Sequence, residues 1–179
     1  KALELNPEDD RAQNNLGVAL AATGRLGEAI PHFEKALALN PESDEAHTSF
    51  GAALAATGKV DEAIPHYRKA LEINPENPET HSSLGAALAQ KGRLDEAIPH
   101  FEKALEFKPD YLEACTNLGA ALVQKGKLDQ AIVYFEKALK LKPGSAELHN
   151  SLGFALLWQA KTDQAIAQFN KALEISPTL

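Results

Sequence analysis

Six histidines are the residues of this sequence with the plainest capacity for chemistry, since imidazole binds metal ions and transfers protons near neutral pH. They form two sets with members 34 residues, or twice 34, apart: His47, His81 and His149, and His32, His66 and His100. Equivalent residues of stacked helical repeats lie roughly 8–10 Å apart, whereas zinc ligands converge to about 2 Å from one ion. We therefore predict no metal site. We expect the second set to form exposed pairs with Glu28, Glu62 and Glu96, four residues earlier on the same helix face.

Sequence motifs of known catalytic chemistry are missing. The patterns GxSxG, HExxH and the phosphate-binding loop do not occur. His81, Ser82 and Ser83 are consecutive, and consecutive residues of a helix do not face one another. A regular repeat array also lacks the enclosed pocket that catalysis needs. We expect no catalytic residue, no cofactor and no enzymatic activity.

Small polar side chains recur in pairs at one position of the period and are the main candidates for binding a partner. The pairs are Asn14 and Asn15, Thr48 and Ser49, Ser82 and Ser83, Thr116 and Asn117, and Asn150 and Ser151. A row of small apolar residues follows, at Val18, Ala52, Ala86 and Ala120. Hydroxyl and amide groups can bond to a peptide backbone without requiring one particular side chain. The pattern predicts a groove for an extended peptide, and the alternative is a polar face that is only solvated.

The 34-residue period extends over the whole chain and defines its organisation. Prolines recur at Pro7, Pro41, Pro75, Pro109, Pro143 and Pro177. Each unit contains two apolar sets with helical spacing, and a strict period of this length is typical of stacked helical hairpins. We predict that residues 1–9 end a truncated preceding repeat and that five repeats follow, at 10–43, 44–77, 78–111, 112–145 and 146–179. The chain begins within a repeat and has no methionine, so we expect it to be a piece of a longer protein.

Short polar residues and glycines mark the predicted helix ends. The expected N-caps of the first helices are Asp9, Ser43, Asn77 and Ser145. Glycines with a left-handed backbone are expected after these helices, at Gly24, Gly58, Gly92 and Gly126. The expected caps of the second helices are Asp61, Asp95, Asp129 and Asp163. Prolines follow inside three of those helices, at Pro31, Pro65 and Pro99, where we expect a slight bend and no break.

Glycines also occur in the middle of each first helix, where they cost about 1 kcal/mol relative to alanine. They are Gly17, Gly51, Gly85, Gly119 and Gly153. We expect close approach of the paired helix, with small partners at Ala29, Ala63, Ala97, Ala131 and Ala165 and large side chains at Phe33, Tyr67, Phe101, Phe135 and Phe169.

At equivalent positions, the repeats carry Leu-Gly, Gly, Ala, Phe or Tyr, Ala and Pro. This pattern resembles the tetratricopeptide repeat (TPR) family over all five units. The resemblance implies an all-α, right-handed superhelical solenoid of 34-residue helix-turn-helix repeats, with first helices lining a concave groove, and a protein-binding scaffold. The chain departs from the family at the position early in the first helix where tryptophan is usual. The residues there are Gln13, His47, His81, Cys115 and His149. The polar row resembles the asparagine ladder of the O-linked N-acetylglucosamine transferase array at Asn15 and Asn117, but Ser49, Ser83 and Ser151 depart from it.

Charge limits the classes of partner. The net charge is −7 and the lysines are dispersed, so we expect no nucleic-acid partner. An acidic row, Glu45, Glu79, Glu113 and Glu147, lies at the groove edge, where Arg11 is the only basic residue. We expect the bound segment to be neutral or basic, although the acidic row also suits the helix N-terminal dipole. TPR co-chaperones that hold acidic tails need Lys and Arg in this groove.

The chain has a single cysteine, Cys115, and no apolar run of membrane-spanning length. We expect no membrane span in this piece. One cysteine fits a reducing compartment such as the cytoplasm.

The fifth repeat differs from the others. Phe154, Leu157 and Trp158 occupy groove positions that elsewhere are Ala, Val or Gln. They form either an anchor pocket for a partner or, as the sequence favours, a docking surface for a segment beyond Leu179. Ile166, Phe169 and Leu173 have no following repeat to cover them, so end-to-end self-association is also expected.

We interpret the sequence as a non-catalytic scaffold that binds a peptide or protein segment in its groove. One alternative is the substrate-recruiting or regulatory array of a larger enzyme, such as a glycosyltransferase. The other is a self-assembly module that acts through its open ends.

Overall fold

The computed structural model describes residues 8–177, and the regular elements in that range are ten α-helices. They are α1 (Asp10–Ala22), α2 (Leu26–Leu39), α3 (Asp44–Ala56), α4 (Val60–Ile73), α5 (Pro78–Gln90), α6 (Leu94–Phe107), α7 (Leu112–Gln124), α8 (Leu128–Leu141), α9 (Ala146–Trp158) and α10 (Thr162–Ile175). The predicted all-α fold of repeated helix pairs is confirmed. The helix end expected in residues 1–6 lies outside the described residues. Between residues 8 and 177, no helix combines the length and apolar character that crossing a membrane requires.

The described residues form two compact units, one that ends at Lys91 and one that begins at Gly92. In the first unit, α1 packs against α2 and α3 against α4, as two helical hairpins. Helix α2 also packs against α3, and α4 against α5, while α1 contacts α3 and α3 contacts α5. First helices of consecutive repeats therefore lie side by side on one face.

The second unit repeats this arrangement. Helices α7 and α8 form one hairpin and α9 and α10 the next. Helix α6 packs against α7 and α8 against α9, and the two first helices α7 and α9 are again in contact.

The predicted helix-end signals of the first helices are confirmed. The side chain of Asp9 accepts a hydrogen bond from the backbone N–H of Ala12 at 3.0 Å. Ser43, Asn77 and Ser145 cap α3, α5 and α9 in the same way. Gly24, Gly58, Gly92 and Gly126 have φ between +70° and +84°. Ala160 takes that position after α9 and has a φ of +59°.

The predicted caps of the second helices are wrong. Each second helix begins directly after a basic residue whose side chain makes no cap hydrogen bond, such as Lys59 before α4. Because α4 begins at Val60, Asp61 lies inside the first turn. Its carboxylate accepts from Lys91 at 2.9 Å. Asp95 pairs likewise with Lys125 at 2.8 Å, and Asp129 accepts from Gln159 at 2.7 Å. These aspartates tie a second helix to the end of the following first helix.

The helices with internal proline are unbroken, as predicted. Helices α2, α4 and α6 each run for 14 residues through Pro31, Pro65 and Pro99 respectively.

The close approach predicted at the mid-helix glycines is confirmed, and the nearest atoms belong to aromatic rings instead of the expected alanines. A Cβ built on Gly17 would lie 2.6 Å from Cε1 of Phe33. The same relationship holds between Gly51 and Tyr67, Gly119 and Phe135, and Gly153 and Phe169. The ring lies over the glycine because it extends further from its own helix than an alanine methyl does. Ala29 and its equivalents at Ala63, Ala97, Ala131 and Ala165 are fully buried.

Candidate functional site

The two polar positions differ in accessibility in two of the five first helices. Asn14 and Ser82, from the first position, are buried, whereas their neighbours Asn15 and Ser83 are exposed and half-buried respectively. In the other three first helices both positions are half-buried: Thr48 and Ser49, Thr116 and Asn117, and Asn150 and Ser151. The second position is therefore open to a partner in every repeat, and the first position in three of them.

Hydrogen bonds between first helices use the first position. The hydroxyl of Thr48 donates to the carbonyl of Asp44 at 2.8 Å, and the hydroxyl of Thr80 in α5 donates to Thr48 Oγ1 at 2.7 Å. By the repeat period, the residue opposite Asn14 is Ala46, which has no hydroxyl. Within residues 8–177, Asn14 Oδ1 and Ser82 Oγ are buried without a hydrogen-bond partner. This position therefore contributes to packing between helices as well as to the polar row.

A cleft of about 410 Å³ lies between α1 and α3 in the first unit. We call it the alanine cleft, after its lining: Val18, Ala21, Ala22, Leu26, Phe33, Ser49, Ala52, Ala53 and Ala56. Ser49 contributes the one polar side chain among these residues. The cleft joins the predicted polar row to the predicted row of small apolar residues.

A cleft of about 380 Å³ lies between α7 and α9 in the second unit. We call it the aromatic cleft, and its lining is Ala120, Val123, Gln124, Phe135, Ser151, Phe154 and Trp158. The ring of Phe154 meets Phe169 edge-on, with centroids 5.2 Å apart, and lies 6.3 Å from Trp158. Of the three residues singled out in the fifth repeat, Phe154 and Trp158 line the cleft, and Leu157 is exposed beside it.

The first helices carry almost no positive charge. Glu45, Glu79, Glu113 and Glu147 are all exposed near the start of their helices. Arg11 in α1 is the single Lys or Arg residue on the first helices of either unit. The hydroxyl of Tyr111 donates to Glu113 at 3.3 Å. Each unit therefore presents apolar and neutral polar groups beside negative charge.

Histidines of both sets contact the residue 19 positions away across the helical hairpin, and for His47 and His66 that residue is a histidine of the other set. His47 Nδ1 lies 3.0 Å from His66 Nδ1, and His32 Nδ1 donates to Gln13 at 2.8 Å. His149 Nδ1 lies 2.7 Å from the side-chain amide of Gln168. We had not predicted these contacts, although the constant offset of 19 between the two sets is visible in the sequence. Within residues 8–177, no group of three or more His, Cys, Asp or Glu is arranged to hold a metal ion.

The predicted pairing of His32 with Glu28 and of His66 with Glu62 is present as a charge interaction, but the direct ion pairs of these glutamates are made with basic residues. Glu28 forms a two-bond ion pair with Arg25, at 2.8 and 2.7 Å. Glu62 lies 3.7 Å from Lys59. Arg25 and Lys59 stand just before their helices, so their side chains reach the glutamates three residues on, while the histidines turn towards the first helix.

Burial shifts the pKa of three groups in these hairpins. The pKa of His66 is lowered by burial and by the neighbouring His47, against a smaller opposing effect of Glu62. Burial raises the pKa of the Cys115 thiol, with Lys137 opposing. Burial also raises the pKa of Tyr134, and the charge of Glu102 adds to the effect. Cys115 is therefore a protonated, buried thiol, which is unsuited to nucleophilic chemistry.

Four family models match the chain. Models described as tetratricopeptide repeat match residues 11–43, 76–144 and 122–178, and one described as TPR repeat matches residues 51–92. A search of curated proteins found no match.

Solved structures with the same fold are numerous. The crystal structure of YrrB, described as a TPR protein with an unusual peptide-binding site, superposes with a TM-score of 0.82 at 27% identity, over 99% of this chain and 92% of that chain. A crystal structure of MamA gives a TM-score of 0.82 at 26% identity, over 94% of this chain and 92% of that chain. MamA of Desulfovibrio magneticus RS-1 gives 0.85 at 23% identity, over 94% and 96%, and at that identity supports the fold alone.

Proposed function

The chain belongs to the tetratricopeptide repeat family, and from that premise we propose that it is a non-catalytic scaffold that binds an extended peptide or protein segment on its first helices. The observation that carries the proposal is the cleft between neighbouring first helices, which occurs in each unit at the same place in the repeat. Each cleft combines an apolar floor with a serine hydroxyl, Ser49 in one and Ser151 in the other. An extended chain can place side chains in such clefts and bond its backbone to polar groups between them.

The accessible polar row supports backbone recognition. Asn15, Ser49 and Ser83 lie one repeat apart in the first unit, and Asn117 and Ser151 do so in the second. An amide both donates and accepts, and a hydroxyl can do either, so these groups suit peptide N–H and C=O groups alike.

The charge pattern favours a neutral or basic segment. Exposed glutamates accompany the clefts, and Arg11 supplies the single positive charge of the first helices. An acidic segment would meet repulsion along this surface, which Arg11 offsets only at one end of the first unit. The description of YrrB as having a peptide-binding site agrees with a peptide as the class of ligand.

Selection from a library of random dodecapeptides displayed on phage tests the proposal. We expect neutral or Lys- and Arg-containing sequences to be enriched. One variant removes the polar row of the first unit (Asn15→Ala, Ser49→Ala, Ser83→Ala) and another that of the second unit (Asn117→Ala, Ser151→Ala). Since each hydrogen bond contributes about 0.5–1.5 kcal/mol, at least one variant should bind the selected peptides roughly tenfold more weakly.

The matched control for these variants lies on a second helix. Glu34→Ala with Lys35→Ala alters exposed residues of α2 and should leave binding unchanged. The proposal fails if no sequence is enriched, or if all variants bind the selected peptides equally. Enrichment of acidic peptides would contradict the expected charge of the partner.

End-to-end self-association is a second candidate function, favoured by the exposed face of α10. Ile166 is 51% exposed, whereas Ile132, its equivalent one repeat earlier, is 8% exposed. Helix α8, which carries Ile132, packs against the next first helix, α9. Leu173 lies on the same helix as Ile166 and is also exposed. A first helix from a second copy of the chain would cover this face as α9 covers α8.

Light scattering as a function of protein concentration tests this candidate. We expect the apparent mass to rise with concentration and the rise to disappear in the double variant Ile166→Glu, Leu173→Glu. Val133→Glu, at an exposed apolar residue of α8, is the control. A mass that stays monomeric at the highest attainable concentration would exclude the candidate.

A further inference from the structure

The alanine cleft and the aromatic cleft occupy the same place in the repeat but have different linings. Ala52 and Ala56 line the first, and the residues 102 positions later, three repeats on, are Phe154 and Trp158 in the second. Phe33 and Phe135 are related in the same way, as are Ser49 and Ser151. The backbone framework and the polar group are thus retained, while one wall changes from methyl groups to two aromatic rings.

The aromatic wall remains available for contact. Phe154 is 44% exposed and Trp158 is 60% exposed, although Phe154 is held edge-on by Phe169. Phe169 is itself the ring that covers Gly153 within the α9 and α10 hairpin. Anchoring of this kind lowers the conformational entropy that binding must remove, and exposed aromatic side chains of fixed orientation are frequent binding hot spots.

We infer that the aromatic cleft is an anchor pocket for one large aliphatic side chain, leucine or a side chain of similar size, flanked by Lys or Arg in the segment bound on the first helices. The inference rests on the proposed function and adds to it the position and chemistry of the anchor. The cleft volume of about 380 Å³ is near the lower end for ligand sites, which suits side chains and not a folded partner.

Charge and polarity around the cleft select the flanking residues. Helices α7 and α9 contain Glu113 and Glu147 and neither Lys nor Arg. Both glutamates are exposed and lie seven residues before a cleft residue, Glu113 before Ala120 and Glu147 before Phe154, so negative charge is found about 10 Å along each helix from the cleft. The nearest cation, Lys125, is paired with Asp95. Gln124 and Ser151 add neutral polar groups to the cleft lining. The cleft therefore favours an aliphatic residue with basic neighbours over one with acidic neighbours.

Trp158 is the only tryptophan of the sequence and reports directly on the cleft. Its fluorescence can be followed while the short blocked peptide GSKLKSG is added, with GSKAKSG and GSELESG as comparators. We expect a blue shift with the first peptide and an affinity at least about tenfold higher than for either comparator, because the comparators lose the buried aliphatic group or the charge match. Equal responses to GSKLKSG and GSKAKSG, or none up to the solubility limit, would overturn the inference.

Substitutions in each of the two clefts locate the response. Phe154→Ala keeps the reporter and should weaken GSKLKSG binding at least about tenfold, whereas Val133→Ala, at an exposed residue of α8, should not. The double change Ala52→Phe, Ala56→Trp transfers the wall to the alanine cleft, and in the Trp158→Ala background it should give a new fluorescence response to the same peptide. This gain of binding does not depend on the stability of α9. Unchanged binding by Phe154→Ala would overturn the anchor.

Other occupants give distinct results. A blue shift that grows with protein concentration without peptide would mean that a second copy covers the cleft. Emission that is already blue and shielded from iodide in the dilute protein would mean that the chain itself covers it. Either result overturns the inference. If library-selected peptides depend on the polar row and not on Phe154, the proposed function stands and the anchor fails, whereas failure of the selection removes both.

Discussion

The ring of Tyr67 fills the space in which a side chain on Gly51 would lie: a Cβ at Gly51 would be 2.8 Å from Tyr67 Cε1 and 2.9 Å from Cδ1. Tyr67 is buried between the helices and has little room to move. We therefore expect Gly51→Ala to lower the free energy of unfolding by about 1–3 kcal/mol, in spite of the better helix propensity of alanine. Urea unfolding followed by circular dichroism measures the change.

Gly27 is the control for that substitution. It lies in the first turn of α2, and a Cβ there would meet nothing within 4 Å. Gly27→Ala is expected to raise the free energy of unfolding by about 0.5–1 kcal/mol. Equal effects of the two substitutions would show that the close contact with Tyr67 is not the cause.

Ala160 is expected to be a strained residue. Its φ of +59° lies in the left-handed region, where the equivalent residues are glycines such as Gly126 at +70°. Because an L side chain costs roughly 1–2 kcal/mol in this region, Ala160→Gly should stabilise the protein by about 1 kcal/mol. The reverse change at the matched position, Gly126→Ala, should destabilise it by a similar amount. Thermal unfolding measures the change in stability of each variant. Shifts of the melting temperature in the same direction would be inconsistent with this explanation.

The contact between His47 and His66 is expected to make stability depend on pH. His47 Nε2 donates to the carbonyl of Pro41 at 3.0 Å, so Nδ1 of neutral His47 accepts from His66. The pKa of His66 is lowered by burial and by His47, so the unfolded chain binds a proton more readily than the folded one. The contribution to stability is therefore complete above the ordinary histidine pKa of about 6.5 and is lost as pH falls through the lower pKa of the folded state.

His66→Gln tests that pH dependence. Gln168 holds the equivalent place opposite His149, so the substitution suits the fold. Unfolding measured between pH 5 and pH 8, a range in which histidine titrates, should show a smaller loss of stability at low pH in the variant than in the parent. Parallel curves for the two proteins would exclude His66 as the titrating group.

Pro65 costs α4 one backbone hydrogen bond. It is the sixth residue of the helix and has no N–H to donate to the carbonyl of Asp61. Val133 occupies the same position in α8, so the fold accepts another residue there. Pro65→Ala is expected to stabilise the protein by about 1–2 kcal/mol, which is the recovered helix energy less the added entropy of the unfolded chain.

Pro109 separates these two effects because it lies in the turn between α6 and α7. Pro109→Ala adds freedom to the unfolded chain without restoring a helical bond, so a loss of about 0.4–1 kcal/mol is expected. Denaturant titrations of both variants provide the comparison. If Pro65→Ala also lowered the free energy of unfolding, Pro65 would not be destabilising α4.

The features that could be predicted from the sequence are those decided by neighbouring residues. An N-cap such as Ser43 bonds three residues ahead, and Gly58 needs only its own φ to end a helix. The features that could not be predicted depend on the rotation of one helix against another. That rotation decides that Tyr67, and not Ala63, covers Gly51, and that Asp61 reaches Lys91.

The candidate site shows the same division. The period brought the small polar residues into one row, but adjacent positions of a helix point about 100° apart. The sequence did not show that Asn14 would be buried while Asn15 is exposed. Nor did it show that Phe154 and Trp158 rebuild a cleft that Ala52 and Ala56 line three repeats earlier, since that required the positions of two first helices relative to each other.

Within each unit, as far as the described residues extend, every helix contacts only the next helix or the one after it. Even the bond between Thr48 and Thr80 spans only 32 residues. A chain closed by such short loops has little entropy to lose before its contacts form, and folding on the microsecond to millisecond timescale of helical proteins is expected. Cooperativity of unfolding in such an array arises from contacts between adjacent repeats. A damaged repeat would then loosen its own surroundings first, and one end of the array can open and close again while the other stays folded.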